Sequence, residues 1–210
     1  MNTQYGRSMV EMLGVLAIIG VLSVGAIAGY SKAMMKYKLN KQAEQLSTVI
    51  NLISGNLHSF DNLPKGTSLI PIFIKMGEIP KEMINPKSSY YIHDIFGQYW
   101  RMIIHPDSGI VLATYADYGG ASALSSKSAD NLEICKNMFL VAKENHDNIA
   151  MAYTSSTSSE NTISKMSLYG DNLCTSSVKC LKDASLDDIY TLCTKHIAQN
   201  RAIFFEILWK

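Results

Sequence analysis

The sequence predicts an α+β chain: a long N-terminal helix, membrane-spanning in its first half and amphipathic in its second, packed on a globular head built around an antiparallel sheet. Three observations predict it. The chain carries no charged side chain from Met12 to Ser31. An apolar stripe at helical spacing follows, through Leu39, Ala43, Leu46, Ile50, Ile53, Leu57 and Phe60. From Asp61 to Lys210 the chain then breaks into short apolar runs of strand length separated by Pro, Gly, Asp and Ser.

At roughly 1.5 Å rise per residue the uncharged run makes a helix of about 30 Å, the thickness of a hydrocarbon core. A cleaved secretory signal would be shorter, with basic residues ahead of it and a small-residue site behind it. Met1 to Gly6 holds no charged side chain and no Ala-x-Ala site follows Tyr30, so the run is expected to stay on the chain. Within the stripe that follows, Lys38, Asn40, Lys41, Gln42, Glu44, Gln45, Ser47, Asn51 and Asn56 occupy the intervening positions and are assigned to the wet face. No proline interrupts Met9 to Phe60. One continuous helix is therefore expected, with Gly55-Asn56 as the place where it frays or ends.

In the head, Pro64, Gly66, Pro71, Gly77, Pro80 and Pro86 mark a helix-to-sheet connection. Tyr99 to Ile104 and Ile110 to Tyr115 read as a β-hairpin around His105-Pro106-Asp107-Ser108-Gly109. Tyr90-Tyr91-Ile92 and Ile95-Phe96 supply an edge strand or turn before it. Ser128 is expected to cap a helix to about Lys143 with Leu132, Cys135, Phe139 and Ala142 on one face. Short strands are expected around Ile149 to Tyr153 and Ile163 to Tyr169, with Thr154 to Thr162 an exposed loop between them. Ser185-Leu186-Asp187-Asp188 resembles a capping box ahead of a helix carrying Ile189, Leu192 and Cys193. The tail Ala202 to Trp209 is too apolar to be left in water and is expected to add a terminal strand or to pack across the head.

Chemistry-bearing residues are plentiful but poorly patterned. His93-Asp94 and His105-Pro106-Asp107 contain the residue types of an acid–base or metal site, yet the second lies in a predicted tight turn that wants Pro, Asp and Gly for structural reasons. Ser125 and Ser167 have no nucleophile elbow around them, and no glycine-rich phosphate loop exists. Asp117, Asp171, Asp183, Asp187 and Asp188 lack the spacing of a calcium loop. The eleven methionines are spread over the chain as gap-fillers. No enzymatic activity and no cofactor are expected. A net charge of +1 gives no electrostatic footprint for nucleic acid.

The four cysteines, Cys135, Cys174, Cys180 and Cys193, all lie in the last third. They suit two disulfides formed in an oxidising compartment, with free thiols and a zinc site as the alternatives. Zinc is disfavoured by the absence of a Cys-x-x-Cys pair and of histidines clustered near the cysteines. Of the possible connectivities, Cys174–Cys180 with Cys135–Cys193 is favoured.

Gly6 followed by Arg7, with Glu11 beyond them and an apolar helix from there on, resembles the class III signal of type IV prepilins and type II secretion pseudopilins. The long helix followed by a head extends the resemblance to the whole chain. It implies a leader over residues 1–6, a long helix over 7–60 with its transmembrane segment at about 12–31, and a pilin-like head over 61–210. It further implies that a prepilin peptidase cuts between Gly6 and Arg7 and methylates Arg7. The chain would be held in the bacterial inner membrane, surrounded by lipid, with its head in the periplasm. An assembly platform would then polymerise it with identical or related subunits into a pilus or pseudopilus. Glu11, a carboxylate at the edge of an apolar helix, would pair with the α-amine of a neighbouring subunit's Arg7 and set the axial register, as a buried polar residue sets register in a coiled coil. In this family a disulfide often closes a C-terminal loop, which favours the same state for the cysteines.

Three features depart from the family pattern. Arg7 is charged where the mature chain usually starts with a bulky apolar residue. No proline bends the helix before Pro64, which leaves Gly14, Gly20, Gly25 and Gly29 as the places where it can soften. Lys32, Lys36, Lys38 and Lys41 follow the apolar run, so the positive-inside rule taken alone would place the head in the cytoplasm, against the cysteines. Apart from the filament subunit, the reading of another class is a single-pass anchored binding or sensor domain that does not polymerise.

Overall fold

A computed structural model describes residues 9–106, 109–114, 129–156, 164–197 and 203–209. Helix α1 runs Met9–Ser54. The chain divides into two compact units, Met1–Lys38 and Leu39–Lys210, so the last third of α1 belongs to the head. Gly55 and Asn56 follow the helix end, and Leu57–Phe60 form a separate 3-10 turn. The stretch to Phe60 expected as one helix is therefore broken at Gly55-Asn56.

The connection that follows contains an element absent from the sequence expectation, α2 (Ile70–Met76). Pro71 sits in its first turn, where a missing N–H costs nothing, and Gly77 caps it in the left-handed conformation at φ 76°. Phe73 of α2 meets Phe60 edge to face at 5.4 Å and both are buried.

Six strands make one antiparallel sheet: β1 (Ile92–His93), β2 (Tyr99–His105), β3 (Gly109–Thr114), β4 (Met151–Ser156), β5 (Ser164–Tyr169) and β6 (Ile203–Trp209), in the order β1-β2-β3-β6-β4-β5. The expected hairpin is β2–β3, with Ile104 opposite Ile110. Gly109 enters β3 at φ 78°, a conformation that favours glycine. The tail adds the expected strand: β6 pairs with β3 on one side and β4 on the other, so the most apolar strand lies in the middle of the sheet. One correction concerns β4. Thr154 to Ser156, expected in a loop, continue β4, because Thr154 finds Phe205 and Met166 as register partners and is fully buried.

Strand alternation sorts the side chains onto two faces. Met102, Leu112, Ile207, Ala152 and Leu168 form one row across the sheet, with Trp100, Phe205 and Trp209 on the same face. All are buried. This face receives the last third of α1, where Leu46 and Val49 meet Trp100 and Leu112 around one small cavity. It also receives α3 (Ala129–Glu144), whose Phe139 meets Phe205 edge to face at 5.0 Å. Trp209 Nε1 donates to Ser54 Oγ at 2.9 Å, tying the end of the sheet to the end of α1.

On the other face, Arg101, Ala113, Glu206 and Tyr153 share one row, beside the buried cluster of Val111, Ala113, Tyr153 and Leu208. The Tyr153 hydroxyl donates to the Glu206 carboxylate, and burial together with that carboxylate pushes the tyrosine above its ordinary ionisation range.

Helix α3 buries Cys135, Phe139 and Ala142 as its periodicity predicts, while Leu132 is only half-buried. Its expected cap, Ser128, lies outside the described residues. Helix α4 (Leu186–Ile197) opens on the expected capping box: Asp188 N–H donates to Ser185 Oγ at 3.1 Å and Ser185 N–H to Asp188 Oδ2 at 2.7 Å. Hydrogen bonds from Ser185, then Lys179 at 2.9 Å, hold the Asp188 carboxyl down at about 2. Ile189, Leu192 and Cys193 face inward.

Candidate functional site: the apolar helix and the braced head

In the first unit the described part of the helix carries one carboxylate near its start. Glu11 lies in the first turn of α1, where a carboxylate complements the positive end of the helix dipole. Gly6 and Arg7, the expected processing and methylation positions, lie outside the described residues. Every residue from Met9 to Ala33 is exposed. Among them Val10, Leu13, Val15, Leu16, Ile18, Val21, Leu22 and Val24 project around the whole circumference. The two serine hydroxyls within this stretch are turned back onto the helix: Ser23 Oγ donates to the Ile19 carbonyl at 2.7 Å and Ser31 Oγ to the Ile27 carbonyl at 3.0 Å. A helix of this length, apolar all round with its serine hydroxyls internally bonded, is long enough and apolar enough to cross a membrane.

In the second unit the cysteines pair as Cys135–Cys193, with Cα atoms 5.9 Å apart, and Cys174–Cys180, at 5.4 Å. The first staples α3 to α4 inside the core, both residues being fully buried. The second closes a short loop after β5, and the Lys179 to Leu181 backbone bonds back to Tyr169 on both sides. Cys174, Cys180 and Asp183 are the grouping of ligand-type side chains close enough for a metal among the described residues, and both sulfurs in it are committed to a disulfide.

A third feature escaped the sequence expectation. Gln42 and Gln45, assigned to the wet face of α1, are 1 % and 3 % exposed. They are buried because each has a partner. Asn137 Nδ2 donates to the Leu39 carbonyl at 2.9 Å and to Gln42 Oε1 at 3.0 Å; Gln42 Nε2 in turn donates to Asp94 Oδ2 at 2.7 Å. Gln45 Oε1 accepts from the Ile95 N–H at 2.9 Å. Asp94 Oδ1 accepts from the N–H groups of Phe96 and Gln98, both at 2.9 Å, and so shapes the loop between β1 and β2. Asp94, half of the His93-Asp94 pair in the sequence, is the acceptor at the end of a relay of amides that locks α1, α3 and the sheet together.

Burial raises the Asp94 pKa above the usual carboxylate range, against the opposing hydrogen bonds from Gln42, Gln98 and Phe96. Its folded value thus lies above its unfolded one. Its contribution is full below about pH 4 and is lost as pH rises through the raised value. Asp94→Ala would leave the Gln42 amide and two backbone N–H groups without an acceptor and is expected to cost about 3 kcal/mol. Asp94→Asn keeps an acceptor for the loop and is expected to cost about 1 kcal/mol while removing the pH slope. Denaturant titrations of wild type and both variants at several pH values check this; equal costs for the two substitutions would contradict the relay.

Asp171 among the remaining candidates has structural partners. It faces His146 Nδ1 at 3.1 Å and Lys182 at 3.5 Å. Gly170 beside it is required by close packing, since a Cβ would fall 1.8 Å from the Ile149 carbonyl oxygen. Lys41, grouped by sequence with Lys32, Lys36 and Lys38, pairs with Glu44 at 3.0 Å and Glu82 at 3.4 Å. Ser167 lies in β5 opposite Tyr153, and His105 ends β2. Asp107, Asp117 and Ser125 fall outside the described residues. No protein-family model, no curated protein and no solved structure matches the chain.

Proposed function

We propose that the chain is a structural subunit of a type IV pilus or pseudopilus, held in the bacterial inner membrane by α1 and polymerised through that helix. The observation that carries the reading is the division of one 46-residue helix into two surfaces. Its first part is exposed and apolar all round, and its second part is buried in an antiparallel head. A simple anchor needs only the first part; a subunit that stacks by its helix needs both, because the head must be fixed rigidly to the element that sets the register. The Gly6, Arg7 and Glu11 pattern supports the same reading, with the leader removed by a prepilin peptidase. Two disulfides support a head in an oxidising compartment, the periplasm before assembly and the filament surface after it.

Mass spectrometry of the chain from its native membrane is the test. Loss of Met1 to Gly6 with a methylated Arg7 amine is expected. An intact Met1 would overturn the proposal in favour of an anchored domain that does not polymerise.

A further inference from the structure

Away from α1 and the disulfides, the head carries an open groove of about 680 Å³. One wall is the Asn85 to Tyr91 segment, the other the Gly66 to Ser68 segment, and Tyr99, Arg101 and Ile103 of β2 line it between them. Both walls are pinned. The Gly66 N–H donates to the Ile104 carbonyl at 2.7 Å and Ser68 bridges to Ile103. On the opposite side the Lys87 N–H donates to Asn85 Oδ1 at 2.9 Å, the Tyr90 N–H to Ser88 Oγ at 3.2 Å, and Ile84 bridges to Ile92. The groove is thus formed before any ligand arrives.

Its lining has a specific chemistry. Three tyrosines contribute: Tyr91 and Tyr99 stand edge to face at 6.4 Å, and Tyr90 is 62 % exposed. The Tyr90 ring face is open to solvent within the groove. Lys87 and Arg101 supply the charge, and among the described residues no carboxylate lines the groove. Glu206, in the same sheet row as Arg101 with Ala113 between them, is the nearest acidic residue along that row, which leaves Lys87 as the principal cation on the open wall. Asn85 and the serines add short hydrogen-bonding groups.

We infer that this groove binds an acidic saccharide, its sugar faces packed on the tyrosines and its carboxylate on Lys87. Aromatic faces carry negative charge density and attract the C–H face of a pyranose, while hydroxyls exchange hydrogen bonds with amide and hydroxyl side chains. The Lys87 ammonium selects a carboxylated sugar over a neutral one. Single-stranded nucleic acid also uses rings and cations, but it presents a charge at every nucleotide and needs a train of basic residues along its track. This groove has two, on a chain of net charge +1.

The test is calorimetric titration of the full chain in neutral detergent micelles with hexasaccharides of galacturonate and of hyaluronan, the methyl ester of the first, and an oligothymidine. The carboxylated sugars are expected to bind and the methyl ester to bind about tenfold more weakly. Lys87→Gln and Tyr90→Ala, both at exposed positions, are each expected to weaken binding about tenfold with unfolding curves unchanged. Absence of binding by every carboxylated sugar, or wild-type affinity in both variants, overturns the assignment. Oligothymidine binding as tight as the sugars overturns it in favour of nucleic acid. None of these outcomes depends on polymerisation, so the proposed filament role stands or falls separately.

Discussion

Glu11→Ala is expected to leave the chain in the membrane and to abolish filaments. Removing a carboxylate from the edge of an apolar helix can only favour insertion, so the membrane-bound amount should not fall. Assembly is another matter. In a bundle of these helices water is excluded, and a charge there costs several kcal/mol unless it is paired. The proposed pair joins Glu11 to the α-amine of a neighbour's Arg7, freed by removal of residues 1–6. Alanine would leave that ammonium buried without a counter-charge at every subunit. The penalty recurs along the filament, and a loss of about 3 kcal/mol per contact lowers each association constant more than about a hundredfold. Glu11→Gln separates the terms: it keeps the shape and an acceptor but not the charge, and is expected to assemble poorly rather than normally. Membrane fractionation and electron microscopy of filaments read both outcomes, and normal filaments from Glu11→Ala would refute the register role.

What the sequence made legible follows the strength of its periodicities. The apolar run, the β2–β3 hairpin, the faces of α3 and α4, and the Ser185–Asp188 box were all readable because each rests on contacts within a few residues. The misses rest on long-range partners. Gln42 and Gln45 look like surface residues until Asp94 and Ile95, about fifty residues away, supply an acceptor and a donor. Their amides then cost nothing to bury, so the helix face is wider than its apolar stripe. Thr154 to Ser156 resemble a loop in composition, and only pairing to β6 on one side and β5 on the other makes them strand. The tail Ile203–Trp209 announced a strand by composition, but its place between β3 and β4 is a matter of topology, which residue types do not encode. The groove tyrosines left no signal at all, since Tyr90 and Tyr91 precede the hairpin by sequence and meet Tyr99 only once β1 pairs with β2.

The two disulfides should contribute unequally, and the difference measures what holds the head together. Closing a loop removes conformations from the unfolded chain in proportion to the logarithm of its length. Cys135 and Cys193 are 58 residues apart and Cys174 and Cys180 are 6 apart, so the chain-entropy account gives about 4 kcal/mol for the first and about 2 kcal/mol for the second. Against a total stability of about 5 to 15 kcal/mol, only the first is large enough to decide whether the head survives. Position sharpens the contrast, because Cys135–Cys193 joins α3 to α4 in the core, whereas Cys174–Cys180 closes a partly exposed loop that backbone bonds to Tyr169 already hold. Paired alanine substitutions, Cys135→Ala with Cys193→Ala and Cys174→Ala with Cys180→Ala, followed by denaturant unfolding of the full chain in detergent, check it. Trp100 and Trp209 are the only tryptophans and both are buried in the head, so their fluorescence reports the head and not the membrane helix. The first pair is expected to lose about twice the free energy of the second. Equal losses, or a larger one for the short loop, would mean that local strain rather than chain entropy governs these bonds. In that case α3 and α4 would owe their attachment to the packing of Phe139, Leu192 and their neighbours rather than to the sulfur bridge between them.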